Sequence, residues 1–223
     1  MFENKIDIPL AIAPGNSKET IALGIQWAEE RMKTGDELTW WFPTQKSRRG
    51  NLTPDARTFE ARECISKDGS IAGVRGPVVA FYADPQHMSR LMDISGMTAL
   101  SVLYWSDPLE TWSRLCGAHR LAPHLAPEHN TGSQEECELT PSMTQKLEII
   151  CRGLNQDNPI DSGFEKRDLL LGLREMKADY GYLPADQIAQ WAISQGWKRD
   201  NPMRLLKMIK DLNAGKNLRL PRH

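Results

Sequence analysis

The first half of the chain repeats one unit, an apolar strand followed by Asp-Pro and a helical pattern. Residues 77–83 are apolar without alternation and residues 98–105 are mostly apolar, which is typical of strands buried on both faces. Asp84-Pro85 and Asp107-Pro108 follow them, and an Asp N-cap before proline at the first helical position is a helix start. Such units favour right-handed crossovers and parallel strands. The sequence predicts an α/β fold with an N-terminal Rossmann-like, mostly parallel sheet.

Other elements of this half are read from periodicity. We predict an apolar strand over residues 6–13, with Pro9 indicating an edge position or a late start. A turn and a helix over residues 18–33 follow, and Gly35 is placed as its C-cap. A second strand is predicted over residues 38–42. A short helix after Pro54 and a strand near residues 62–66 complete the prediction.

The second half is predicted to be helical. Residues 119–140 lose all periodicity, so we divide the chain into an α/β domain over 1–120, a linker over 121–140 and a small helical domain over 141–223. The predicted helices cover residues 141–153, 164–179, 184–195 and 202–214. Glycine favours the left-handed conformation that ends helices, and the predicted stops are Gly181, Gly196 and Gly215.

The composition is that of a globular protein, with 40% hydrophobic and 26% charged residues. No apolar run approaches the roughly 18 residues that span a bilayer, and the acidic start does not fit a signal peptide. The four cysteines form no Cys-x-x-Cys pair, which favours a reducing compartment. The sequence predicts a cytoplasmic protein with no membrane partner.

The strongest charge asymmetry lies at the C-terminal end. Residues 198–223 hold eight Lys or Arg against two Asp, a net charge of +6, so residues 1–197 carry −7. Such asymmetry indicates an anionic partner, with DNA or RNA as the candidates.

The last predicted helix carries part of this charge on one face. Its apolar stripe is Leu205, Met208, Ile209 and Leu212. Two helices around a glycine-containing turn resemble a helix-turn-helix. The candidate nucleic-acid-binding residues are Arg204, Lys207, Lys210, Lys216 and Arg219, with Arg222 in the same basic arm. The alternative is a helical bundle whose last helix is solvated by Lys and Arg.

A second candidate site lies where the predicted strands end, because open α/β sheets bind ligands at their carboxyl edge. The candidate ligand-binding residues are Gly15, Asn16, Ser17, Lys46 and Asp84. A phosphate-binding P-loop is excluded, since Ile12 stands where its first glycine belongs and Glu19 follows Lys18. The alternative is that the turn and Asp84 are structural caps.

No catalytic set, metal site or cofactor is predicted. The Cys/His residues near the linker lack the paired spacing of zinc ligands; they are Cys116, His119, His124, His129 and Cys137. The seven tryptophans also suggest a protein partner. Trp40 and Trp41 must face opposite ways in a strand, which makes one of them a candidate surface anchor.

The C-terminal region contains a distinctive pattern, Trp191-Ala192-x-x-x-Gly196-Trp197, Asn201-Pro202-x-Arg204-Leu205 and Asp211-x-Asn213-Ala214-Gly215-Lys216. Asn155-x-x-Asn158 and Ser162-Gly163-Phe164-Glu165-Lys166 lie upstream, and Pro14-Gly15 and Gly76-Pro77-Val78 extend the pattern into the first half. With this pattern the chain resembles a family of uncharacterised actinobacterial proteins. The resemblance implies no known activity.

Three functional hypotheses follow. The first is a non-enzymatic nucleic-acid-binding or regulatory protein that uses its basic C-terminal helix. The second is a nucleotide- or phosphate-handling enzyme with its site at the carboxyl edge of the sheet. The third is a protein-interaction module of a larger assembly.

Overall fold

The computed structural model describes residues 7–49, 61–67, 71–105, 109–123, 138–154, 160 and 163–221. The chain divides into two compact units, one of residues 1–130 with 194–196 and the other of residues 131–193 with 197–223. Within the described residues no helix has the length and apolar composition needed to cross a membrane. The predicted short helix after Pro54 lies outside these residues.

The N-terminal unit is built on a six-stranded parallel sheet with the order β3-β2-β4-β5-β1-β6. Its strands are β1 Leu10–Pro14, β2 Thr39–Phe42, β3 Arg62–Ile65, β4 Gly76–Phe81, β5 Met97–Tyr104 and β6 His119–Arg120. Its helices are α1 Lys18–Glu29, α2 Gln45–Arg49, α3 Pro85–Leu91 and α4 Glu110–Leu115. The predicted α/β fold with a helical C-terminal region is confirmed.

Both faces of the sheet are covered, which explains the apolar strands. Helix α1 packs over β1, β5 and β4, and one buried cluster joins it to Trp40 and Phe42. Side chains alternate along a strand, so Trp41 points to the opposite face, where its ring lies 5.0 Å from that of His87 in α3. The prediction that Trp40 or Trp41 is a surface anchor is wrong, because they are only 6% and 0% exposed.

Local sequence signals, such as caps and turns, set most of the boundaries of the helices. Asp84 caps α3 as predicted, and its side chain accepts a hydrogen bond from the Gln86 backbone N–H. Helix α1 ends at Glu29 rather than near Lys33, and Gly35 (φ +91°) lies instead in a turn closed by a hydrogen bond from Asp36 N to Lys33 O. Helix α4 begins at Glu110 after Leu109 in the left-handed conformation. Asp107 and Pro108 lie outside the described residues.

The helical unit contains α5 Pro141–Cys151, α6 Gly163–Tyr180, α7 Ala185–Ser194 and α8 Asn201–Asn213, close to the predicted ranges. Gly181, Gly196 and Gly215 all have positive φ, as predicted for helix ends. In α8 the predicted stripe is buried, with Leu205 and Ile209 fully enclosed. Helix α6 packs against both α5 and α8.

Candidate functional site

An open pocket of about 720 Å³ lies at the carboxyl edge of the sheet. Its volume falls within the roughly 300–1,000 Å³ that small-molecule sites occupy. The lining residues follow four neighbouring strands, namely Pro43, Thr44, Lys46, Ser47, Lys67, Tyr82, Ala83, Asp84, Gln86, His87 and Trp105. The pocket therefore extends across the ends of β3, β2, β4 and β5.

Strand order explains why the pocket forms here. From β2 the chain passes to the edge strand β3, whereas from β4 it passes the other way, to β5. Right-handed crossovers then place the two connections on opposite faces, which leaves a crevice between the ends of β2 and β4. Open α/β sheets bind their ligands at such a switch point.

Two lysines give the pocket its positive charge. Lys46 belongs to α2, which follows β2, and Lys67 follows β3. Both are exposed, and among the described residues neither ammonium group has an ion-pair partner. Arg48 of the same helix is instead paired with Glu63 on β3. The pocket thus holds two cations that are available to an anionic ligand.

The carboxylate in the pocket is held by its own neighbours. Asp84 Oδ2 accepts a hydrogen bond of 2.8 Å from Gln86 Nε2, and Oδ1 lies 2.7 Å from Nδ1 of the buried His87. The backbone N of Asp84 lies 3.4 Å from the same His87 nitrogen, so the shorter contact, in which the imidazole donates to the carboxylate, is the stronger one. These contacts fix the His87 ring beneath the pocket.

Tyr82 carries backbone strain at the pocket. Its φ is +57°, in the left-handed region that costs a non-glycine residue about 1–2 kcal/mol. Its N–H donates to Leu103 O at 2.6 Å, and its ring meets that of Trp105 edge-on, with centroids 5.5 Å apart. Strained backbone of this kind is concentrated at functional sites.

The structure brings only part of the predicted ligand set together. Lys46 and Asp84 line the same pocket, whereas Gly15, Asn16 and Ser17 are not among its lining residues. Ser17 caps α1 by accepting from the Thr20 N–H, and Asn16 is exposed in the turn. Gly15 has no side chain, which leaves room for the Tyr82 ring. A Cβ at this position would lie only 3.3 Å from that ring.

Lys67, Tyr82, His87 and Trp105 were not predicted as ligand contacts. Each lies at the end of a predicted strand, directly after one or in the first turn of the next helix, which was the available signal. What the sequence did not supply was the order of the strands. Lys67 lies near Lys46 only because β3 and β2 are neighbours.

No metal site is found in the part of the chain that the structure describes. Burial raises the pKa of the Cys116 thiol to about 12. His119 is exposed in β6, a short strand that the sequence did not predict. His124, His129 and Cys137 lie outside the described residues.

The predicted nucleic-acid-binding residues lie at the end of the helical unit. Lys207, Lys210, Lys216 and Arg219 are exposed, and Arg204 is half-buried. Lys210 Nζ lies 3.1 Å from Asp186 Oδ1, and Lys216 Nζ lies 2.6 Å from Asp211 Oδ1. Acidic partners therefore neutralise part of the basic surface. Arg222 lies outside the described residues.

Helices α7 and α8 follow each other as in a helix-turn-helix motif, but the segment that connects them is long. Residues 195–200 join α7 to α8, whereas the turn of a DNA-binding helix-turn-helix has about 3–4 residues. The segment after α8 does not project freely, since Arg174 donates to the carbonyl of Leu218. This geometry favours a structural role for part of the basic arm.

The residues of the recognised C-terminal pattern stabilise the helical unit. Asn213 Nδ2 donates to Leu183 O at 2.7 Å, and Asn213 Oδ1 accepts from Leu183 N at 3.2 Å. Asn201 Oδ1 accepts from Ile160 N at 3.4 Å, and Trp191 and Trp197 are buried. These four residues of the pattern therefore serve the folding of the helical unit.

Comparison with known families finds one match. Residues 139–223 match the family model described as "Domain of unknown function (DUF1889)". An uncharacterised family was predicted for this region, but the quoted motif and the actinobacterial range stay predictions. No curated protein and no solved structure matches the chain. The match covers most of the helical unit and no part of the sheet.

Proposed function

We propose that the N-terminal α/β unit binds a small phosphate-bearing ligand in the pocket between the ends of β2 and β4. The observation that carries the proposal is a pair of lysines, Lys46 and Lys67, on a pocket of about 720 Å³ at the strand switch point. Neither lysine has an ion-pair partner among the described residues. An ammonium group binds phosphate as a point charge. Thr44 and Ser47, whose hydroxyl groups lie 2.7 Å apart, also line the pocket.

Replacing Lys46 and Lys67 together by alanine is expected to weaken binding of ribose 5-phosphate by at least about tenfold. The physical reason is that a hydrogen bond to a charged group contributes about 1.5–3 kcal/mol, and 1.4 kcal/mol corresponds to about tenfold. Isothermal titration calorimetry of the full chain checks this result. Inorganic phosphate is the second probe, since it carries the same charge without the sugar.

Lys33→Ala is the matched control, because Lys33 is exposed in the same unit and lies outside the lining of the pocket. We expect it to leave the affinity within about twofold of the unmodified chain, since exposed charges beyond a Debye length of about 8 Å are largely screened. Equal affinity of the double variant and the unmodified chain would overturn the proposal. The proposal would also be overturned if the unmodified chain bound neither ribose 5-phosphate nor inorganic phosphate.

A second candidate function is nucleic-acid binding through the helical unit. The observation that favours it is the exposure of Lys207 and Arg219, for which the described part of the chain provides no ion-pair partner. Lys210 and Lys216 are each held by an aspartate, so they contribute less to an anionic surface. We rank this candidate below the pocket for that reason.

If the helical unit binds duplex DNA through these two cations, the binding constant is expected to fall with salt at a log–log slope no steeper than about −2, since each phosphate contact contributes about −0.9. Replacing Lys207 and Arg219 together by alanine then brings the slope close to zero. Fluorescence anisotropy with labelled DNA and RNA at a series of salt concentrations measures it. Lys33→Ala is again the charge-matched control, and an unchanged slope in the double variant would rule out this surface.

A further inference from the structure

Trp105 differs from every other tryptophan in the chain. All seven tryptophans lie in the described residues, and six of them are buried in the two units. Trp105 is 61% exposed and lines the pocket. An exposed indole at a ligand pocket leaves an apolar ring face in contact with water, which a flat ring of a ligand can cover.

The Trp105 ring is held in position. Trp105 follows β5 directly, and its ring makes an edge-to-face contact with the ring of Tyr82. The backbone of Tyr82 is in turn tied to β5, because its N–H donates to Leu103 O. Gly15 lets the Tyr82 ring approach the end of β1. The ring of Trp105 therefore packs against Tyr82 and forms an aromatic surface at one end of the pocket.

The two ends of the pocket differ in chemistry and are well separated. Trp105 follows β5, whereas Lys46 and Lys67 follow β2 and β3, which lie two and three strands away. With neighbouring strands about 4.8 Å apart, the aromatic and cationic ends are about 10–14 Å apart along the sheet edge. Asp84 follows β4, between them, and its carboxylate offers hydrogen-bond acceptors there.

We propose that the ligand of this pocket is a nucleoside phosphate, with its base stacked on Trp105 and its phosphate at Lys46 and Lys67. This inference rests on the proposed function. The sugar then lies near Asp84, whose acceptors match the donors of sugar hydroxyl groups. Inorganic phosphate occupies only the cationic end, and a sugar phosphate has no flat aromatic base to stack on the indole. A nucleotide has both a base for the aromatic end of the pocket and a phosphate for the cationic end.

The test compares AMP with ribose 5-phosphate on the full chain by isothermal titration calorimetry. The unmodified chain is expected to bind AMP at least about tenfold more tightly, since stacking of a base on an aromatic side chain contributes on the order of tenfold or more in affinity. Trp105→Ala is expected to remove that difference and to leave the affinity for ribose 5-phosphate unchanged. GMP, CMP and UMP are expected to behave alike, because every base has a stacking face.

Tyr182→Ala is the control for loss of an exposed aromatic side chain, since Tyr182 is 52% exposed in the helical unit; we expect it to bind both probes as the unmodified chain does. Acrylamide quenching gives a second readout. Trp105 dominates the quenchable fluorescence because the other six indoles are buried, so saturating AMP is expected to protect it and ribose 5-phosphate is not.

The outcomes separate this inference from the proposed function. Equal affinities for AMP and ribose 5-phosphate, with both lost in the Lys46 and Lys67 double variant, would overturn the nucleotide assignment and retain a phosphate site. A preference for AMP that survives in Trp105→Ala would also overturn it. Binding of neither probe would overturn both proposals.

Discussion

Replacing Trp41 by alanine lowers the free energy of unfolding by about 3–5 kcal/mol, the range for removing a large aromatic side chain from a core. Trp41 is fully buried in β2, between β3 and β4, and its ring packs against His87 of α3. The variant loses this packing and leaves a cavity between the sheet and α3, the helix whose His87 lines the pocket. Urea denaturation followed by circular dichroism measures the loss.

Trp105→Ala is the matched control, since it removes the same side chain from a site that is 61% exposed. Surface substitutions usually change stability by about 0.5 kcal/mol or less, so the two variants are expected to differ by at least about 2.5 kcal/mol. Similar losses in both would show that Trp41 does not belong to the core or that Trp105 is not exposed. The control also establishes that the binding test with Trp105→Ala uses a folded chain.

The α/β architecture was predictable because local signals and long-range packing agree. Residues 77–83 lack alternation and residues 98–105 are mostly apolar because the sheet is covered on both faces, and this pattern distinguishes a parallel sheet from one that is open to water. Asp84-Pro85 starts α3 as predicted, because an Asp side chain and a proline satisfy the first turn without tertiary help.

Elements that depend on tertiary contacts were missed. Strand β6 has two residues, and it forms because His119 and Arg120 pair with Ala11 and Ile12 of β1, which no local pattern reveals. Helix α1 stops short of Gly35 although the apolar spacing continues to Met32. The same pattern that predicted a strand at Trp40-Trp41 could not show that α1 and α3 each cover one of the two rings.

The candidate site also contains residues that local patterns predict and residues that only the tertiary structure brings in. Lys46 and Asp84 were predicted from the rule that parallel strands end at one edge, and the structure places both at one pocket. Lys67 and Trp105 lie far from them in sequence and reach the pocket through the order β3-β2-β4-β5. Strand order is set by how the whole sheet packs, so single-residue patterns do not contain it.

Gly96→Ala is expected to destabilise the N-terminal unit by at least about 2 kcal/mol, beyond the 1–2 kcal/mol that the left-handed conformation alone costs. Gly96 has a φ of +83°, and a Cβ there would lie 2.2 Å from the backbone oxygen of Val74. Val74 is buried, and Gly96 O accepts a hydrogen bond from Gly76 N where β4 begins. The alanine methyl group therefore forces apart two segments that set the register of β4 on β5.

Gly117→Ala separates the two causes, because Gly117 also has positive φ, +65°, but a Cβ there would meet nothing within 4 Å. It is expected to cost only the conformational strain, about 1–2 kcal/mol, so the excess loss in Gly96→Ala measures the clash with Val74. Equal losses in urea denaturation would mean that the Val74 segment yields to the methyl group. The start of β4 would then be adaptable, and the register between β4 and β5 would be fixed further along, where Val78, Val79 and Ala80 pair with Leu100, Ser101 and Val102.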